Sequence, residues 1–371
     1  MFYDNAVRAL KKASLWRTRS VASHTLLDFA SNDYLGLRRN KKQAQCAFSK
    51  LCSADVFAPG ASMLVNGYHA LHHECEELLC AANGFERGVI LGSGFLANIA
   101  LLESLVRARD VLFIDSHYHA SGQLATRLLG KRVRVFAHNR PDCLRELLLR
   151  EPRVRDSQWI IAIESVYSMS GEIAPRAFAE LAAEHNALLL VDEAHASGTI
   201  GKNLLGYFDY HNLPIAPNYI KMGTFSKAYG SYGAYILAHS DIIAFLTNRA
   251  KPLIYSTALS LFDTALAFVN FCYILRHSAR FARQLQKRQE IWSAALGRTL
   301  RTPIVSIPLA SSAEAIVAQK HLAKEGFCVG AIRPPTVSEP MLRINVSLGT
   351  NKKAHKRLSA IIAQKFCGAL M

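Results

Sequence analysis

The sequence predicts an α/β protein, with a large domain built on a mainly parallel sheet and a smaller α+β domain after it. Three observations predict this. From residue 85 onward, short apolar runs alternate with helix-length segments, the pattern of strands joined by crossover helices. Those runs are apolar at nearly every position, which fits strands buried on both faces. The chain has 371 residues, 50% hydrophobic and only 19% charged, enough for two cores.

The first 45 residues read as an N-terminal helix and a short strand, followed by the turn Ser31-Asn32-Asp33-Tyr34-Leu35-Gly36. The large domain is expected over 46–258. Its strands read as 89–91, 111–114, 133–136, 159–163, 188–191 and 219–222, with helices at 95–107, 119–129 and 175–185. The smaller domain is expected over 259–371. It has long helices at 259–276 and 279–300, strands at 304–307, 327–332 and 342–346, and helices at 313–324 and 352–365. The apolar stretch 264–275 is too short to cross a bilayer and reads as a buried helix.

The eight cysteines form no C-x-x-C pair, so neither a metal site nor a redox motif is expected. They read as reduced cytoplasmic thiols packed as small hydrophobes. Basic residues near the N-terminus are not followed by an apolar run, so no signal peptide is expected. The net charge of +16 suits an anionic partner, yet no dense Lys/Arg tract marks a nucleic-acid surface, and a generally basic solvated surface explains it.

Ligands of open α/β sheets bind beyond the carboxyl ends of the strands. Asp115, Glu164, Asp192 and Thr224 fall there. Asp192-Glu193-Ala194-His195 ends one apolar run, and 35 residues later Lys227 follows Thr224-Phe225-Ser226. A lysine amine that forms a Schiff base and a carboxylate that keeps a pyridine nitrogen protonated are what pyridoxal phosphate requires of its protein. The glycines after Lys227 let a ligand approach the backbone closely.

Two rival readings use the same residues. Asp192-Glu193-Ala194-His195 also matches a helicase Walker B sequence, but neither Gly130-Lys131 nor Gly201-Lys202 completes a P-loop. Gly92-Ser93-Gly94-Phe95-Leu96-Ala97 matches a dinucleotide fingerprint, which would leave Lys227 and Asp192 without a role. A glycine turn at a helix N-terminus suits any phosphate. His195, three residues after Asp192, can reach the same ring. His119 can stack on a flat cofactor or cap a helix.

Taken in order, Ser31–Gly36, Gly94-Phe95-Leu96-Ala97-Asn98, His119-Ala120-Ser121, Ser168-Met169-Ser170-Gly171, Asp192–His195, Thr224–Lys227 and Ile254-Tyr255-Ser256-Thr257 resemble the α-oxoamine synthase family. The resemblance covers about residues 15–348. It implies the aspartate aminotransferase-like fold, fold type I of pyridoxal phosphate transferases, and a homodimeric acyltransferase. It also implies that Lys227 carries the cofactor, that Asp192 pairs with the ring nitrogen, that His195 contacts the ring oxygen and that His119 stacks over the ring. Gly94, Phe95, Ser168 and Thr224 would seat the cofactor, and Thr257 would reach the phosphate of the neighbouring subunit. Arg17, Thr336 and Arg343 would hold substrates, with Arg343 on the amino acid carboxylate. The segment Ala331-Ile332-Arg333-Pro334-Pro335-Thr336-Val337 resembles members that join L-alanine to a pimeloyl thioester on CoA or an acyl carrier protein. Relatives that use glycine or another acyl thioester remain the alternative within the family. A non-catalytic cofactor binder or a nucleic-acid-binding protein is the alternative outside it. The chain departs from the family pattern at 58–63, at Ser170 and at 337–341, all in substrate-side loops.

Overall fold

The computed structural model describes residues 2–13, 15–19, 21 and 25–366. Its largest element is a seven-stranded sheet. From one edge the strands run Arg87–Leu91, Ala234–Ala238, Tyr219–Thr224, Leu188–Asp192, Trp159–Glu164, Val111–Asp115 and Val133–Phe136. Ala234–Ala238 is antiparallel to both neighbours, and the five strands beyond it are parallel to one another. Every residue of Val111–Asp115, Trp159–Glu164, Tyr219–Thr224 and Ala234–Ala238 is buried, so the sheet is covered on both faces.

The expected strands appear within a few residues of their predicted limits. The exception is Ala234–Ala238, which the sequence reading passed over. The helices Gly94–Leu105, Ala120–Thr126 and Ala177–Glu184 follow the strands as anticipated. The first is capped by Ser93, whose hydroxyl accepts the Leu96 N–H at 3.3 Å. The two helices expected across 259–300 are found within Leu261–Leu296, where they meet at a kink at His277, whose backbone is non-helical. Thr264 and Asn270 on it are fully buried, in keeping with a core helix. No described helix is long and apolar enough to cross a membrane.

The chain divides into two compact units, one of residues 32–168 and 172–286, the other of 1–31, 169–171 and 287–371. The second therefore starts inside the long helix rather than at 259, and it takes in the N-terminal segment. Leu27–Asp28 explains that assignment, because it pairs in parallel with Phe327–Cys328. A three-stranded antiparallel sheet in this unit runs Gly330–Ile332, Met341–Asn345, Ile304–Pro308. The thiol expectation needs a correction: Cys75 and Cys80 are buried, but Cys46 and Cys52 are exposed. Cys367 lies outside the described residues.

The core of the second unit contains one polar knot. Trp292 Nε1 donates to His355 Nδ1 at 3.0 Å, and His355 Nε2 lies 2.9 Å from the Ser347 carbonyl. The ring thus accepts at Nδ1 and donates at Nε2, which only the neutral tautomer can do. Burial drives its pKa down to about 4. The unfolded chain takes up this proton near pH 6.5, whereas the folded chain resists it until about pH 4. Folding therefore loses stability as pH falls through that window, by up to about 3 kcal/mol. Urea midpoints should drop between pH 6.5 and 4 more steeply for the wild type than for His355→Gln. Parallel curves would refute this account of His355.

Candidate active site

Asp192 closes its strand 4% exposed, with both oxygens engaged. Oδ1 accepts the Ala194 N–H at 2.9 Å, and Oδ2 accepts Asn98 Nδ2 at 2.8 Å. Asn98 projects from the helix Gly94–Leu105 and is itself fixed. Its Oδ1 accepts the Tyr118 hydroxyl at 2.8 Å, and Nδ2 also reaches Ser121 Oγ at 2.9 Å. Ser121 Oγ lies 2.7 Å from His119 Nδ1, so a continuous polar chain joins His119 to Asp192. His119 occupies the N-cap of Ala120–Thr126, so it caps that helix and faces the cavity at once. Burial lowers its pKa, the Asp192 charge opposes that shift and Lys227 adds to it. The net direction favours the neutral imidazole.

The turn after Asp192 sends alternate side chains apart. Glu193 is fully buried on the other side, where its Oε2 accepts the Tyr207 N–H at 2.9 Å and meets Lys221 Nζ at 3.3 Å. Gly206 makes this possible. At φ +93° it adopts a conformation that favours glycine, and a Cβ there would overlap Glu193 Oε2. With Glu193 anchored, His195 returns to the Asp192 side. Its Nε2 lies 2.8 Å from Lys227 Nζ and its Nδ1 2.7 Å from the Tyr34 hydroxyl. If the amine donates to Nε2, Nδ1 carries the imidazole proton and gives it to Tyr34, whose hydroxyl donates on to Asn32 Oδ1 at 3.2 Å.

These groups surround one cavity of about 190 Å³ beyond the carboxyl ends of the strands. Of the sequence-derived cofactor residues, Gly94, Phe95, His119, Asp192, His195, Thr224 and Lys227 line it. Ser168 and Thr257 do not. Ser168 is attached to the cavity through its backbone N–H, which donates to Glu164 Oε2 at 2.9 Å. Thr257 is exposed and makes an isolated antiparallel bridge with Ser62. Arg17, Thr336 and Arg343 belong to the other unit. There Arg17 Nη2 donates to Thr336 Oγ1 at 3.1 Å, and Arg343 is 6% exposed within Met341–Asn345. The sequence reading missed Asn98, Ser226 and Tyr34 as site residues. It placed Glu164 at a strand end without giving it a role. Asn98 stood in a quoted motif, so its spacing from the glycine turn was the available signal.

The residues fit a flat pyridine carrying a phosphate. An amine, an anchored carboxylate and a neutral imidazole converge on one space, and a helix N-terminus opens onto it. A Cβ at Gly94 would meet Thr224 Cβ at 3.8 Å and Met222 Sδ at 4.0 Å, both from cavity residues. That is ordinary contact, so glycine is not demanded by the protein's own packing. It keeps space open at the head of the helix.

Comparison with known proteins agrees. Residues 24–361 match the family aminotransferase class I and II. The 8-amino-7-oxononanoate synthase of Helicobacter pylori strain J99 is 45% identical over 358 residues, covering 96% of this chain and 95% of that protein. A putative 8-amino-7-oxononanoate synthase of Aquifex aeolicus is 34% identical, covering 94% of each. Among solved structures, a serine palmitoyltransferase from S. paucimobilis superposes with TM-score 0.87 at 21% identity, covering 98% of this chain and 96% of its own. An 8-amino-7-oxononanoate synthase from Francisella tularensis gives 0.76 at 23%, covering 94% and 100%. These two structures match the fold. With its site geometry and these relatives together, the chain belongs to the aminotransferase class I and II family, in the α-oxoamine synthase branch of fold type I pyridoxal phosphate enzymes.

Proposed function

We propose that this chain condenses L-alanine with a pimeloyl thioester, releasing carbon dioxide and the free thiol and giving 8-amino-7-oxononanoate for biotin assembly. The observation that carries the reading is the convergence of Lys227, His195, Asp192 and His119 on one cavity, in a chain whose relatives bear that name. Pyridoxal phosphate, when bound, supplies an electron sink for the negative charge that develops at the amino acid Cα.

The chain's own residues do the rest. Lys227 would hold the cofactor through Nζ, and its amine would take the Cα proton of the amino acid and later return one. Asp192, held by Asn98 and the Ala194 N–H, would pair with the ring nitrogen and favour its protonated form. His119, whose pKa burial lowers, would pack over the ring. His195 would face the ring oxygen, and the first-turn amides at Gly94 and Phe95, with Thr224, would receive the phosphate. Arg343 is the candidate for the alanine carboxylate, which a guanidinium grips through two parallel hydrogen bonds. Arg17 and Thr336 are candidates for the acyl side. Thr257, exposed on the single chain, is suited to reach the phosphate of a second copy, and the active unit is a homodimer.

Purified protein should be yellow, and borohydride should fix the cofactor to the wild type but not to Lys227→Ala. A wild type with no reducible link would end the cofactor reading. Product analysis after mixing with pimeloyl-CoA and either L-alanine, glycine or L-serine should give the C-methylated amino-ketone from alanine alone. Turnover with glycine in its place would move the assignment to another α-oxoamine synthase. Asn98→Ala removes a hydrogen bond to a buried charge, worth about 1.5–3 kcal/mol. It should lower kcat about 10- to 100-fold, and an unchanged kcat would show that Asp192 does not depend on Asn98.

A further inference from the structure

Glu164 ends the strand beside Asp192 and has no part in the scheme above. The two are direct partners in adjacent parallel strands, so their side chains leave the same face of the sheet. Glu164 is 2% exposed and lines the cavity. Its Oε2 accepts the Ser168 N–H, while Oε1 has no hydrogen-bond partner among the described residues. Asp192, by contrast, has a donor on each oxygen, one of them a side-chain amide. Two carboxylates in this position cannot both be charged at low cost, and the one with fewer donors retains the proton.

We propose that Glu164 is the neutral acid of a carboxyl pair with Asp192, holding a proton on Oε1 and presenting it to the cavity as a hydrogen-bond donor. With the cavity taken as the cofactor site proposed above, this leaves Asp192 as the anion that meets the ring nitrogen. Glu164 is then a positioning residue that also fixes the charge of the site. Its Oε2 holds the Ser168 amide, so the same side chain ties Ser168 to the strand end.

The surrounding charges agree with this assignment. Burial first, then the Asp192 charge, push the Glu164 carboxyl up to about 8, and Asp115 on the next strand pushes the same way. The Ser168 N–H and Lys227 pull it down without reversing the shift. His119 and His195 are the other titratable groups lining the cavity. A carboxyl with a raised folded pKa contributes stability that is whole below its unfolded value of 4.5 and is lost as pH rises through about 8.

Glu164→Gln copies the neutral acid in shape and tests the proposal without substrate. The variant should fold, and its melting temperature relative to the wild type should climb by about 2 °C or more between pH 5 and pH 8.5. The wild-type-minus-variant infrared difference should contain the carbonyl stretch of an un-ionised acid at pH 6.5 and lose it by pH 9.5. A flat melting difference, no such band at pH 6.5, or a Glu164→Gln protein that fails to fold at pH 8 would each overturn it. The borohydride reaction of the wild type reports on the cofactor reading separately, so failure of one is distinguishable from failure of the other.

Discussion

A single buried carboxylate sets the terms for this structure. Asp192 is almost without solvent at the end of a central strand, where an unpaired charge would be too costly to keep. The Asn98 amide and the Ala194 N–H are what make the charge tolerable. Asn98 in turn needs its helix to begin at Gly94, and it needs Tyr118 and Ser121 on the neighbouring segment. Helix start, strand end and the His119 turn are therefore mutually constrained through one oxygen atom. None of the three can shift by one residue without leaving a buried polar group unsatisfied.

The same economy governs the side of the turn that faces away from the cavity. Glu193 and Lys221 form a fully buried pair, and such pairs contribute little net stability against well-packed apolar residues. Removing one partner is a different matter, because the other is then left charged and alone. The value of this pair lies in geometry: it binds the residue after Asp192 to the neighbouring strand and to the loop at Leu205–Tyr207. His195 thereby reaches both Lys227 and Tyr34. The Lys227 amine is thus met by an imidazole that is itself held from behind.

Much of this was legible in the sequence, and the misses share a cause. Strand runs and the acids that end them are local signals, since they lie within a few residues of each other, and Lys227 was marked by its own Thr224-Phe225-Ser226-Lys227 segment. Ala234–Ala238 escaped because a short apolar run after Tyr232-Gly233 gives no sign that it will insert between two distant strands as their antiparallel neighbour. The break between the two helices near 277, by contrast, was legible, and it falls where His277 carries non-helical backbone. Asn98 and Tyr34 acquire meaning only through partners 94 and 161 residues away. Which of two end-of-strand acids is charged depends on the donors each one finds, and those come from other elements.

The third acid at the strand ends, Asp115, shows how a site can be braced without touching its ligand. It is fully buried, and burial alone would raise its pKa. Hydrogen bonds from His138, the Asn139 N–H, Tyr167 and the His117 N–H outweigh that and hold it low. His138, stacked on His117 at 4.1 Å, spans from Asp115 to Glu172, and these two carboxylates raise its pKa against the opposing effect of burial. Both ends of this network carry site residues. His117 leads directly into His119, and Tyr167 and Glu172 flank the turn that begins at Ser168. His138, bridging Asp115 and Glu172, therefore ties the segment before His119 and the residues flanking Ser168 to one strand end.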